Sequence, residues 1–142
     1  MRPKLLWTAA VSGALLLAAA TPAHFRFAIL GDRTGEAVPG VYEAVWKEIG
    51  HFHPAFVVSV GDTIEGLNDA TAPEEWRALR PLWQGVALYL TPGNHDIWSP
   101  ASERLWQAET GHPPFYSFSY LNLHVTVLDN SRADDIRQRI PA

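Results

Sequence analysis

The sequence predicts an α/β fold built on a parallel sheet covered on both faces. Three short apolar runs, Phe25–Leu30, Phe56–Val60 and Val86–Leu90, are each bounded by Gly or Pro, as buried strands are. Their apolarity is nearly continuous rather than alternating, which suits strands buried on both sides. The gaps between them carry helical patterns, as right-handed crossovers require.

The chain starts with a different signature. Arg2 and Lys4 precede the apolar run Leu5–Ala20, and Thr21-Pro22-Ala23 ends it with a small residue suited to cleavage. The run falls short of the ~20 residues that span a bilayer. Residues 1–23 therefore read as an export signal and residues 24–142 as the folded part, periplasmic or secreted. No stable membrane span is expected after cleavage. The signal takes Arg2 and Lys4 with it, so the remainder is more acidic than the full chain's net charge of -4.

Composition narrows the class. Of 142 residues, 47% are apolar and 18% charged, which fits a globular chain and excludes a disordered one. Cysteine is absent, which excludes disulfides, thiolate metal sites and a cysteine nucleophile. No basic stretch marks a nucleic-acid footprint.

Each remaining element has its own signal. Val41, Val45 and Ile49 recur one helical turn apart beside Trp46, between Pro39-Gly40 and Gly50. Thr71-Ala72-Pro73-Glu74 reads as a capping box for a helix that turns Trp76 and Leu79 inward and ends near Pro81. Ser102–Thr110 reads as a third helix, stopped by Gly111 and Pro113. Phe115–Tyr120 and Leu123–Leu128 read as a hairpin around Leu121-Asn122, without the glycine that strengthens such turns. Arg132–Ile140 begins a further helix.

The chemistry follows the strands. After the first comes Gly31-Asp32-Arg33-Thr34. After the second comes Gly61-Asp62-Thr63-Ile64-Glu65-Gly66. After the third comes Gly93-Asn94-His95-Asp96. In a parallel sheet these points share the carboxyl edge, where such sheets place ligands. Asp32, Asp62 and Asn94 offer oxygen donors suited to a hard or borderline divalent ion. Each Gly-Asp or Gly-Asn alone is an ordinary turn signal. Three at equivalent strand ends point to a site.

These three motifs resemble the first three motifs of the calcineurin-like metallophosphoesterases, over about Phe25 to Asp129. Gly93-Asn94-His95-Asp96 is the most specific of them. Tyr116–Asp129 also resembles the strand pair that follows the third motif. The resemblance implies a layered α-β-β-α sandwich, of which this chain supplies the first half. It implies two divalent ions, Mn, Fe or Zn, with Asp32 on one, Asp62 bridging both and Asn94 on the second. His95 would stabilise the reacting phosphate or protonate the leaving oxygen, with Asp96 orienting the His95 ring. Arg33 is either a phosphate contact through its planar fork or a solvated loop residue.

The sequence also departs from the family pattern. Thr34 stands where the first motif usually carries His. Glu65 stands where the purple acid phosphatase branch carries Tyr. No later Gly-His-x-His follows, and His112 and His124 read as loop and strand-surface residues. His51-Phe52-His53 precedes the second strand and so falls at the opposite sheet edge. Trp46, Trp76 and Trp106 read as core. Trp98 either walls a substrate pocket or packs on a helix.

The implied activity is hydrolysis of a phosphomonoester or phosphodiester substrate by an exported enzyme, this chain being an incomplete fragment with little activity alone. The competing expectation is a non-catalytic member that keeps the scaffold and binds a ligand or partner.

Overall fold

The three apolar runs pair side by side, in parallel, as expected. The structure, a computed structural model, describes residues 24–131. Strands β1 (Ala28–Leu30), β2 (Val57–Ser59) and β3 (Leu88–Leu90) lie in the order β1-β2-β3. Their regular parts are shorter than the apolar runs. The ladder nonetheless continues outward, with Ala55 N–H donating to the Arg26 carbonyl (2.7 Å) and Thr91 N–H to the Ser59 carbonyl (3.1 Å).

Register makes the sheet edge functional. Leu30 pairs with Ser59 and Ser59 with Leu90, so the three strands end level. The motifs that follow therefore leave the sheet from the same edge.

Helix α1 spans Val41–His51, after Gly40 in the left-handed region (φ 84°). The Val41–Val45–Ile49 stripe is not its buried face. Val41 and Val45 are 54% and 37% exposed, while Trp46 is buried, with Tyr42 and Ile49 packed beside it. Tyr42, Trp46 and Ile49 obey the same helical spacing. The stripe with the larger aromatic area is the one that faces the sheet. It covers Leu30, Val57 and Leu88.

Helix α2 (Ala72–Leu79) buries Trp76 and Leu79, as expected. Its capping box does not form. Thr71 has helical backbone angles, so its hydroxyl turns away from the first-turn amides and donates to Glu75 Oε1 at 3.1 Å. Pro81 diverts the chain into a short 3-10 turn, Arg80–Trp83. Helix α3 (Pro100–Thr110) starts two residues earlier than the sequence suggested. Ser99 supplies the N-cap, accepting from the Ala101 and Ser102 amides, and Ser102 completes a capping box. Gly111 stops the helix in the left-handed region. Ile64, Leu90, Ile97, Trp76 and Trp106 form the core beneath α2 and α3, and Trp98 packs against that core.

The second β layer is the hairpin β4 (Tyr116–Tyr120) and β5 (Leu123–Val127), turning at Leu121-Asn122 with Leu121 at φ 51°. Its aromatic face covers the sheet side opposite α1. Phe118 stacks on Tyr89 with the rings 4° apart and meets Phe56 edge-on, and the Tyr116 hydroxyl donates to the Leu90 carbonyl at 2.9 Å. The outer face carries Ser117, Ser119, His124 and Thr126. There His124 Nδ1 lies 2.8 Å from Ser119 Oγ.

The chain is thus mixed α/β, with a parallel sheet, three helices and a crossing hairpin among the described residues. Residues 1–23, the expected export signal, lie outside the described part, and so does the expected helix over Arg132–Ile140. No described helix is long and apolar enough to cross a membrane.

Candidate active site

The loop after β1 closes on its own carboxylate. Thr34 donates both its amide (2.7 Å) and its hydroxyl (2.9 Å) to Asp32 Oδ1. Thr34 thus secures the aspartate through both backbone and side chain. Between them, the Arg33 amide donates to the Asp62 carbonyl at 3.1 Å, tying the first loop to the second. The Arg33 guanidinium lies over the Tyr42 ring, 5.7 Å from its centroid, a cation–π arrangement. Asp32, Arg33 and Tyr42 line a cleft of about 180 Å³ whose other walls include Val38, Val41 and Val45. Those valines stay exposed although they line the cleft.

The loop after β2 adopts an uncommon backbone. Gly61 (φ 108°) and Asp62 (φ 52°) both have positive φ. For Asp this is a costly conformation, and it persists only where neighbours over-determine it. The neighbour here is the third loop. The His95 amide donates to Asp62 Oδ1 at 3.0 Å.

Two glycines permit that contact. A Cβ on Gly93 would sit 2.0 Å from Asp62 Oδ1, and one on Gly66 would sit 1.8 Å from the His95 carbonyl oxygen. The motif glycines therefore serve loop-to-loop approach. Gly31 differs, since a Cβ there would meet nothing within 4 Å.

Asp96 is buried (1% exposed) and lies beneath this junction. Its Oδ1 accepts from the Thr63 (2.9 Å) and Ile64 (3.3 Å) amides, and its Oδ2 accepts from the Gly93 amide (3.0 Å). Burial pushes its carboxyl up to about 6. The three amide donors oppose that rise, and the nearby Asp62 charge adds to it.

The expected link from Asp96 to the His95 ring is corrected. Asp96 holds backbone instead, and the ring is held by the Glu65 carbonyl oxygen, 2.5 Å from Nδ1. A carbonyl only accepts, so Nδ1 carries the proton and Nε2 is the nitrogen left for chemistry. A backbone partner of this kind leaves no trace in residue identity. The one available hint was Gly66, the residue after Glu65.

The fit to divalent ions rests on donor chemistry. Asp32 and Asp62 each engage Oδ1 in the protein, leaving Oδ2 without a protein donor among the described residues. Asn94 stands exposed in the third loop. Two carboxylates and an amide are the right donor types. They are also few, because among the described residues no three His, Asp or Glu side chains group closely enough to hold an ion. The residues fit part of a metal centre.

The other histidines lie elsewhere. His51 Nδ1 is 4.0 Å from Glu48 Oε2 at the end of α1, and His53 follows it before β2. His112 stacks on Tyr116, ring centroids 4.3 Å apart.

Comparison with known proteins identifies the family. The family model for calcineurin-like phosphoesterases matches residues 25–139, well over half of the chain. No curated protein matches it. Members of the matched family typically use divalent metals. The chain belongs to the calcineurin-like phosphoesterase family.

Proposed function

We propose that this chain supplies the first three loops of a metal-dependent phosphoester hydrolase that works outside the cytoplasm. One observation carries the reading. The Asp62 carboxylate and the His95 backbone are joined at 3.0 Å, so a ligand-type oxygen and an imidazole share one junction at the sheet's carboxyl edge. Asp32 and Asp62 would hold divalent ions, with Asn94 on the second; Mn, Fe or Zn suits such donors. When bound, the ions polarise the phosphate and acidify water.

The chain's own residues have distinct tasks. Arg33, which lines the cleft, would orient phosphate oxygens through its planar fork. His95 would present Nε2 to the leaving oxygen, its ring fixed through Nδ1. Asp96 would keep the second and third loops in register through its three amides. The substrate class is a phosphomonoester or phosphodiester. Residues 1–23 would direct export.

A second reading is a non-catalytic binding module. It is favoured by Thr34, engaged with Asp32, and by the small donor set. Two ions want roughly six contacts each, and three protein ligands fall well short. We therefore expect the 142-residue chain alone to hydrolyse p-nitrophenyl phosphate and its bis ester only slowly with added Mn²⁺ or Zn²⁺. That slow turnover should disappear in Asp62→Asn and His95→Asn. Complete absence of metal-dependent turnover would favour the binding module. Fast turnover abolished by Asp62→Asn would show that the chain's own ligands suffice.

A further inference from the structure

The His95 ring is held by a peptide group, and that peptide group is itself held. The Glu65–Gly66 peptide presents its carbonyl to His95 Nδ1 at 2.5 Å and its N–H to Glu75 Oε2 at 3.0 Å. Glu75 lies in the first turn of α2, and its other oxygen, Oε1, accepts from the Thr71 hydroxyl at 3.1 Å. Both carboxylate oxygens are therefore engaged, one to the helix start and one to the loop. We infer that Glu75 is a positioning residue for His95, acting through the Glu65–Gly66 peptide to fix the ring with its proton on Nδ1 and Nε2 free. The inference rests on the proposed role of His95.

Three features support a directed link over a chance contact. The first is the conformation of Gly66. It has φ 61°, and any side chain there would run into the His95 backbone, so the peptide reaches the ring only because position 66 is glycine. The second is rotation. A peptide plane at a left-handed glycine can turn about its flanking bonds, and an acceptor on its N–H side opposes that turn. The third is alignment. A peptide that donates to a carboxylate on one side becomes a better acceptor on the other, so the two hydrogen bonds reinforce each other. The Thr71 hydroxyl, freed from helix capping, contributes by fixing the Glu75 rotamer.

The test is the tautomer of His95, read by ¹⁵N NMR on the full, metal-free chain at a pH where the ring is neutral. The His95 signals are assigned by comparison with His95→Gln. A ring locked in one tautomer shows two widely separated nitrogen resonances. In Glu75→Ala these should converge, as the two tautomers come to exchange, and the Gly66 amide proton should lose its downfield position. Glu75→Gln keeps an acceptor oxygen and should retain the separation. The Thr63 and Ile64 amides, bonded to Asp96, should stay in place in both variants and so report an intact fold.

An unchanged separation in Glu75→Ala would overturn the inference. So would equal convergence in Glu75→Gln. Neither result depends on turnover, so failure of the hydrolase reading and failure of this link are told apart.

Discussion

The Asp62 side chain accepts the His95 backbone amide at 3.0 Å, although the two residues lie on loops after different strands. The bond stabilises Asp62 in a left-handed conformation and sets the distance between the second and third motifs. It depends on a close approach that two glycines make possible.

The glycines of the three motifs should therefore differ in their tolerance. Gly93→Ala would press a methyl against the Asp62 carboxylate and amide, and should destabilise the fold by about 1–3 kcal/mol. Gly66→Ala adds backbone strain at φ 61° to a clash with backbone, and should cost about 2–4 kcal/mol. Gly31→Ala meets open space and should stay within about 0.5 kcal/mol of the parent. Urea denaturation of the three variants checks the order. A Gly31→Ala as damaging as Gly93→Ala would contradict the close-approach account.

Asp96 gives the metal-free chain a pH dependence of a definite sign. Its folded carboxyl titrates near 6, against 3.8 for the unperturbed group. Between those values the folded chain holds a proton that the unfolded chain has released, so this group's stabilisation falls as pH rises. The loss is on the order of 3 kcal/mol, complete above pH 6. Thermal melts of the parent and Asp96→Asn at pH 4–7 isolate it. The variant starts lower, because its NH2 group sets a donor against a backbone N–H where the neutral carboxyl keeps an oxygen. Its slope should nonetheless be flatter. Parallel slopes would show that Asp96 ionises normally in the fold.

Thr34 stands where the resemblance leads one to expect His, and it holds Asp32. Thr34→His should strengthen Mn²⁺ or Zn²⁺ binding by roughly tenfold, about 1.4 kcal/mol. The variant keeps the amide bond to Asp32 Oδ1 and adds an imidazole nitrogen beside it. Calorimetric titration of both chains measures the difference. An unchanged or weaker affinity would mean that position 34 does not face the ion.

Much of this arrangement was legible in residue order. The Gly-Asp and Gly-Asn pairs punctuate apolar runs, and a parallel sheet has only one carboxyl edge, so Asp32, Asp62 and Asn94 had to leave from the same side. The inward Trp76 and Leu79 and the hairpin at Leu121-Asn122 were also readable, the first from helical spacing and the second from alternation. What stayed hidden involved a choice between equivalent patterns or a backbone partner. Val41–Val45–Ile49 and Tyr42–Trp46–Ile49 have comparable periodicity, and only packing against Leu30 and Val57 decides which is buried. Thr71 and Ser99 both precede prolines near a helix start, yet only Ser99 has the extended backbone that caps. The partners of the His95 ring and of Asp96 are a carbonyl and three amides, which no side-chain pattern encodes.

The central claim is that the carboxyl edge of this sheet binds divalent ions through Asp62. The most direct measurement is the shift in melting temperature of the full chain on titration with Mn²⁺, compared between the parent and Asp62→Asn. The account predicts a rise in the parent that saturates, worth about 2.7 kcal/mol at a hundredfold excess over Kd. It predicts little or no rise in Asp62→Asn. An equal rise in both proteins, or none in the parent, would contradict it.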